Sequence, residues 1–413
     1  MAQYNLKAPV VVTPNDVITD GLITINDKKI TAVKQAIKAQ KTTKKTFELS
    51  DNEILFPSMI NAHDHLLGSY YPRVLKSAPY KSWKPWDDEL KSARVYKERG
   101  NIPPYYLYLL GVYKNLITGV TTISDHIPHF VNDPFIPDMP IRILQKYTLA
   151  HEVSSYDLNW GDGVDIEFKR AKKKNWPFIT HIEEGFDAES KRGVEYLVKK
   201  YHALDYHTVL VHGLVLSNED IDIIARRKAN LVWCCTSNMN MYHRTARIKK
   251  WIDAGINVSI GTDSPMSADL NILRELSACK KTYRTLYKKD IPDEMLVDMV
   301  TRNPAHAFIT TRNLGTIKKG NIADLLVVKG NPNKPHKSLV QAKLPDIMLV
   351  LFEGKPLYGD PKYKPLFETF KQKIYTFKIN NTPKIGTIDP KGLMKKIRKF
   401  VGFQKKIPFL PVT

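Results

Sequence analysis

Apolar residues along this chain fall into short runs that stop abruptly at polar residues of a few recurring kinds. Ile54, Leu55, Phe56, Met59 and Ile60 run into Asn61, Ala62, His63, Asp64 and His65. So apolar a segment reads as a buried strand, and period-two alternation sends His63 and His65 to one face at its carboxyl end. The run from Trp176 stops at Thr180 and His181, with Glu183 and Glu184 beyond. The run from Thr208 stops at His212 and Gly213, and the run from Ile256 stops at Gly261, Thr262 and Asp263. Helical stretches follow these runs. Ser217 with Asp220 has the form of a capping box opening Asp220 to Lys228, and Leu270 to Lys288 carries apolar residues at helical spacing. Strands alternating with helices, with reactive side chains at strand carboxyl ends, predict an α/β barrel with its site at the top.

The pattern predicts strands over 55–62, 119–125, 141–151, 177–181, 208–212, 230–236 and 256–262. About 55 residues separate Asp125 from His181, where a full (β/α)8 barrel needs two units and only one strand is clear, so one βα unit is expected to be abbreviated. The flanks differ. Tyr4 to Glu48 and Ala323 to Tyr358 are strand-rich, with turn signals at Asp20-Gly21, Asn26-Asp27, Gly330-Asn331-Pro332 and Glu353-Gly354. No internal repeat or low-complexity linker interrupts the chain.

Composition narrows the class. At 413 residues the chain has room for a barrel and a smaller module. No apolar run reaches the length of a membrane span, and Met1 to Lys7 lacks the apolar core of a signal peptide. The three cysteines, Cys234, Cys235 and Cys279, are sparse and odd in number, which suits a reducing compartment, and the cytoplasm is the expected location. Cys234 and Cys235 read as core residues on opposite faces of a strand. The net charge of +21 raises nucleic acid as a partner, but lysines outnumber arginines about three to one, and arginine is the residue that phosphate and base recognition prefers. Residues 361–413 alone carry +11, with Lys391 to Lys399 and Lys405-Lys406 interleaved with Leu393, Ile397, Phe400 and Phe403. That amphipathic pattern fits a solvated lysine face that closes the fold, and equally a surface that touches an acidic partner.

Taken in order, these motifs resemble the amidohydrolase superfamily, in its branch of mononuclear deaminases and chlorohydrolases. The resemblance rests on His63-Asp64-His65, on His181 with Glu184 three residues later, on His212-Gly213, Thr236-Ser237-Asn238 and Gly261-Thr262-Asp263-Ser264. It continues through Arg302-Asn303-Pro304-Ala305-His306-Ala307 and Leu314-Gly315 to Asp324-Leu325, covering roughly residues 1 to 358. It implies a metal-dependent hydrolase barrel over 57–311, a small β-sandwich built from 1–56 and 312–360, and a basic extension over 361–413.

Carried over residue by residue, the resemblance implies that His63, His65, His181 and Asp263 hold one divalent metal. Zinc is the default, and iron or manganese is compatible because nitrogen and oxygen ligands discriminate poorly. Such an ion lowers the pKa of water from about 15.7 towards 7, so hydroxide attack on a trigonal carbon needs no strong base. Asp263 would take the water's proton, Glu184 would pass a proton to the departing nitrogen, and His212 would polarise the substrate or orient the nucleophile. Glu183 competes with Glu184 for the shuttle, and spacing favours Glu184. Asp125, His126, His129, His151 and Glu152 also fall near strand ends as candidate pocket residues. A binuclear variant would need a bridging Glu152 or Lys146, against which the HxxE form argues.

The segment Tyr70 to Trp86 follows the first histidines and offers aromatic area and positive charge for a planar ring with an anionic group. Arg73 and Trp83 are its candidate substrate residues, with Asn238 from the later motif. The expected activity is hydrolysis of a non-peptide carbon–nitrogen bond in a small cyclic or aminated molecule, by deamination or by opening of a cyclic amide. The alternatives are hydrolytic dechlorination of an electron-poor ring, or a catalytically silent binding protein on the same scaffold. The partner is a small-molecule substrate, with no specific nucleic acid, no membrane span, and self-association left open.

Overall fold

The computed structural model describes residues 3–36 and 45–413; part of the flank from Tyr4 to Glu48 therefore lies outside the described residues. The strands in chain order are β1 Gln3–Val12, β2 Val17–Asn26, β3 Lys29–Gln35, β4 Lys45–Glu48, β5 Glu53–Pro57, β6 Met59–Asp64, β7 Val120–Asp125, β8 Arg142–Ile143 and β9 Thr148–Glu152. They continue with β10 Phe178–Ile182, β11 Thr208–His212, β12 Asn230–Trp233, β13 Asn257–Ile260, β14 Leu325–Lys329, β15 Ile347–Phe352, β16 Lys355–Gly359, β17 Tyr375–Ile379 and β18 Thr382–Gly386.

The apolar run read as a single strand over 55–62 is two strands, divided at Ser58. β5 joins the ends of the chain in a ten-stranded sheet ordered β17-β18-β16-β15-β14-β5-β1-β2-β3, with β4 paired to β1. Both faces of this sheet are covered, and the alternation along its strands shows how. Ile54 and Phe56 of β5 and Leu326 and Val328 of β14 face the main core, while Leu55, Leu325 and Val327 face a second core with Tyr4, Leu6 and Phe367.

β6 to β13 form two sheets, each parallel and in sequence order, β6-β7-β8 and β9-β10-β11-β12-β13. Ladder pairing stops between β8 and β9 and between β13 and β6, where one backbone bond, Asp263 N to His63 O at 2.9 Å, crosses the gap. Both sheets nevertheless face one apolar interior, which gathers Ile60 and Ala62 from one and Leu149, Ile179, Val209, Val211 and Val232 from the other. The stretch 141–151, expected as one strand, holds both β8 and β9, with no helix between them. β8 is two residues long, which is the abbreviation that the short interval before His181 foreshadowed. The expected strand over 230–236 ends at Trp233, and Cys235–Tyr242 is a helix, so Cys234 and Cys235 are not neighbours on one strand.

The C-terminal segment is woven into the fold. β18 pairs with β16 and with β17, extending the large sheet at its edge. The helix Pro390–Val401 is capped by Asp389, whose side chain accepts from Gly392 N at 2.8 Å, and it buries Leu393 and Ile397. Phe400 packs on Tyr106 of the helix Pro104–Leu116 at 5.2 Å between ring centres. Backbone bonds in both directions at 3.0 Å tie Thr413 to Lys378. Each apolar side chain buried in this way contributes roughly 1.5–3 kcal/mol. Truncation after Asp360 is therefore expected to give insoluble protein or a clear drop in Tm, read by thermal unfolding. A truncated chain as soluble and stable as the full one would show that the tail is peripheral.

Candidate active site

The polar strand ends meet at one end of the apolar interior. β6 delivers His63, fully buried, and His65, and its ladder is irregular between Asn61 and Asp64. β10 delivers His181, with a register shift between Ile179 and His181. Such irregularities re-aim side chains out of the regular pleat. Glu183, His212 and Asp263, each at or just past a strand end, have positive φ of 50°, 73° and 52°, so the chain turns sharply there at some cost in backbone strain. Gly261 makes a close approach possible. A Cβ there would lie 2.6 Å from His63 Cβ, so only glycine lets the end of β13 come up against β6 and bring Asp263 beside the histidines.

Behind the histidine pair, Asp64 points into a buried polar network. Its Oδ1 accepts from Lys114 Nζ at 2.8 Å, and its Oδ2 from Asn115 and Asn61 at 2.8 and 3.1 Å. Lys114 and Asp64 are both buried, and three donors on one carboxylate hold the strand end that carries His63 and His65.

The imidazoles crowd together. His63 Nε2 and His181 Nε2 are 3.2 Å apart, and His65 Nε2 lies 3.6 Å from Asp263 Oδ1. The candidate ligand atoms of His63, His181 and His212 all lie within 4.8 Å of one another, and so do those of His63, His65 and Asp263. Burial pushes His63, His181 and His212 below the usual histidine range, so all three are neutral with lone pairs to offer. The Nδ1 atoms of His63 and His181 are buried without a hydrogen-bond partner. Asp263 Oδ2 accepts from Ser237 and Ser267 at 2.6 and 2.8 Å, which pins the carboxylate with Oδ1 towards His65. The two groups of ligand atoms share His63, and the structure does not gather His63, His65, His181 and Asp263 into a single group at that spacing; imidazole nitrogens beside one carboxylate oxygen, with unpaired imidazole atoms among them, fit a divalent cation.

Glu184 is buried against this cluster. Its Oε2 lies 3.4 Å from His212 Nε2 and 4.0 Å from His181 Nδ1, and its Oε1 accepts from the Tyr242 hydroxyl at 3.0 Å. Burial, reinforced by the negative charge of Asp263, drives its pKa well above the carboxylate range. Glu183 faces another way. It accepts from Val194 N at 3.3 Å, and burial pushes it up to about 8. His212 Nδ1 is 3.0 Å from Asn238 Oδ1. An amide oxygen only accepts, so Nδ1 carries the proton and Nε2 presents a lone pair to the site.

A cavity of about 260 Å³ opens over these groups, lined by His65, His181, Glu184, His212 and Asp263 at its floor. Trp83, Trp86, Trp160 and His151 form part of its wall. Trp83 Nε1 donates to Glu152 at 2.6 Å, which fixes the indole. Arg73, the expected substrate arginine, is exposed and donates to the Ala268 carbonyl at 3.1 and 2.9 Å, outside the cavity lining; this corrects its assignment. Asn238, the other expected substrate residue, also stays out of the lining and bonds to His212 instead.

The remaining strand-end candidates divide. His151 lines the cavity, and His126 sits against the cluster with Nδ1 3.2 Å from His181 Nε2. His129 turns away to Asp133 and the Tyr147 carbonyl, and Asp125 accepts from Leu66 N. Lys146 is exposed, and Glu152 is occupied by Trp83 and Ser154. Tyr242 and Ser267 were missed in the sequence. Tyr242 reaches Glu184 from the helix Cys235–Tyr242, which begins within the stretch expected as strand to 236.

A model of the amidohydrolase family matches residues 164–359. The 5-methylthioadenosine/S-adenosylhomocysteine deaminase of Pyrococcus furiosus is 24% identical over 340 residues, covering 70% of this chain and 77% of that protein. A protein of the same name from Clostridium tetani is 25% identical over 412 residues, covering 88% and 94%. Among solved structures, the zinc complex of atrazine chlorohydrolase from Arthrobacter aurescens superposes with a TM-score of 0.76 at 17% identity, covering 96% of this chain and all of that one.

Proposed function

We propose that this chain, which matches the amidohydrolase family over residues 164–359 and is similar to deaminases over most of its length, is a metal-dependent deaminase of an aminated heterocycle, with the adenine ring as the leading candidate. The observation that carries this reading is the meeting of His65, His181, His212, Glu184 and Asp263 on the floor of one cavity with aromatic walls, with the buried His63 against them. The adenine ring comes from the deaminases to which the chain is similar over most of its length.

In this reading His63, His65, His181 and Asp263 hold one zinc ion. When bound, the ion supplies Lewis acidity that brings deprotonation of water into the neutral range. Asp263, pinned at Oδ2 by two serine hydroxyls, receives the attacking water's proton on Oδ1. His212, with its proton on Nδ1 towards Asn238, offers Nε2 as an acceptor that orients that water. Glu184 enters protonated because burial and Asp263 oppose its charge; it gives that proton to the ring nitrogen, relays the proton that Asp263 took from water to the amine, which leaves as ammonia, and is restored by the proton of the added hydroxyl as the carbonyl forms. Tyr242 holds it in place. The aromatic side chains Trp83, Trp86 and Trp160 stack the planar substrate and exclude water.

The same proposal closes the two strand sheets into a (β/α)8 barrel over 57–311 and treats 1–56 with 312–360 as a sandwich-like module beside it. It places the protein in the cytoplasm, in keeping with its free, buried cysteines, and leaves 361–413 as a stabilising extension. The test is ammonia release from a panel of adenine, guanine and cytosine compounds and cyclic amides by the zinc-loaded protein. Ammonia from an aminated ring is the expected result. Ring opening or chloride release from an electron-poor ring, with no ammonia from any aminated compound, would sink the deaminase reading.

A further inference from the structure

The outer wall of the cavity is built from the turn Leu66–Tyr70, which follows His65, and the helix Arg94–Arg99. Tyr71, Tyr96 and Arg99 line it. The two tyrosine rings stack at 6.1 Å and 5° from parallel, and the Arg99 guanidinium carbon lies 5.6 Å from the Tyr71 ring centre. Arg99 Nε donates to the Leu67 carbonyl at 3.2 Å, which anchors the planar fork through one of its five N–H donors. Beside it lies the buried Tyr71 hydroxyl, with the guanidinium within its reach.

The neighbouring carboxylates are taken by other groups. Asp87, which also lines the cavity, pairs with Lys91 at 2.7 Å. Glu98, next to Arg99 in the chain, accepts from Lys405 Nζ at 2.8 Å and from the Tyr70 hydroxyl. Lys405 comes from the C-terminal extension and lies 4.7 Å from the Tyr70 ring centre, so the tail fastens the helix that carries Arg99. The cations in the cavity lining are Lys91 and Arg99, and among the described residues no carboxylate pairs with Arg99. A half-buried guanidinium in an aromatic wall, anchored at one edge and without a counter-charge, is arranged for a ligand that brings one.

We propose that Arg99 is a specificity-determining residue that reads an anionic oxygen group, carboxylate or phosphate, carried by the substrate away from the ring that is deaminated. The ring chemistry rests on the deaminase reading; the anion is what Arg99 adds to it. A guanidinium grips either group through two parallel hydrogen bonds, and lysine cannot reproduce that geometry.

The test is calorimetric titration of the zinc-loaded full-length chain with three adenine compounds, alongside ammonia release from each. They are 5′-methylthioadenosine, which is neutral, S-adenosylhomocysteine, which carries a carboxylate, and 5′-AMP, which carries a phosphate. One of the two compounds that carry an anionic group is expected to bind at least about tenfold more tightly than 5′-methylthioadenosine, the increment of a charge-assisted pair. Which of the two it is identifies the group. Arg99→Met should cut the anionic-to-neutral affinity ratio at least about tenfold, and Arg99→Lys should keep part of it. Equal affinity for charged and neutral compounds, a ratio unchanged by Arg99→Met, or no binding of any of the three would overturn the proposal. Arg99-dependent anion binding without ammonia release would instead sink the deaminase reading and leave the anion site standing. Ammonia release with no dependence on Arg99 would do the reverse.

Discussion

His63→Ala is expected to strip the protein of its divalent metal and abolish deamination, and Asp263→Ala to do the same. His63 belongs to both groups of converging ligand atoms, so its loss dismantles the donor set at its centre. Asp263 is the carboxylate of the set, and it also carries the base in the proposed reaction. The wild-type protein should retain about one equivalent of metal through purification, as a site of this kind does, and each variant should fall near zero by elemental analysis. A structural role alone would lower Tm and leave metal content per folded molecule unchanged. Near-zero metal in carefully loaded wild type, or full occupancy in both variants, would rule out a single-metal site on these residues.

Glu184→Gln should separate the metal from the proton. Glutamine keeps the volume and can still accept from Tyr242, so metal content and Tm should stay close to wild type. The rate should fall at least about a hundredfold, the contribution of a well-placed general acid or base. Glu183 provides the control, because it bonds to Val194 N and does not line the cavity. Loss of turnover in Glu183→Gln with near-normal turnover in Glu184→Gln would mean that the proton passes through the other neighbour.

The side chains proposed to react are each held by a neighbour. Asp263 Oδ2 is held by Ser237 and Ser267, while Asn238 sets the proton on His212 and Tyr242 holds Glu184. Three of these four supporting residues lie on the single helix Cys235–Tyr242. A helix displaced as a unit would therefore disturb Asp263, Glu184 and His212, the proposed base, acid and water-orienting group, together. That gives a physical reason why a polar stretch follows so apolar a strand as Asn230–Trp233.

The sequence by itself determined where the candidate side chains sit, because each one ends an apolar run, and a buried strand must surface at its polar end. His63, His65, His181, His212 and Asp263 were legible for that reason, and so was the short interval that left β8 two residues long. Helix caps such as Ser217 with Asp220 were legible because the interaction is local, within one turn. Only the tertiary structure decided what depends on direction and on distant pairing. Ser58 divides one apolar run between two sheets, because β5 finds its partners in β1 and β14, far away in sequence. Residues 375–386 become strands because β16 offers a free edge. Arg73 and Arg99 both lie downstream of the histidine pair and are chemically identical. One turns out to the Ala268 carbonyl and the other into the cavity wall, because side-chain direction follows from the packing of Tyr71, Tyr96 and Leu67, which no local period encodes.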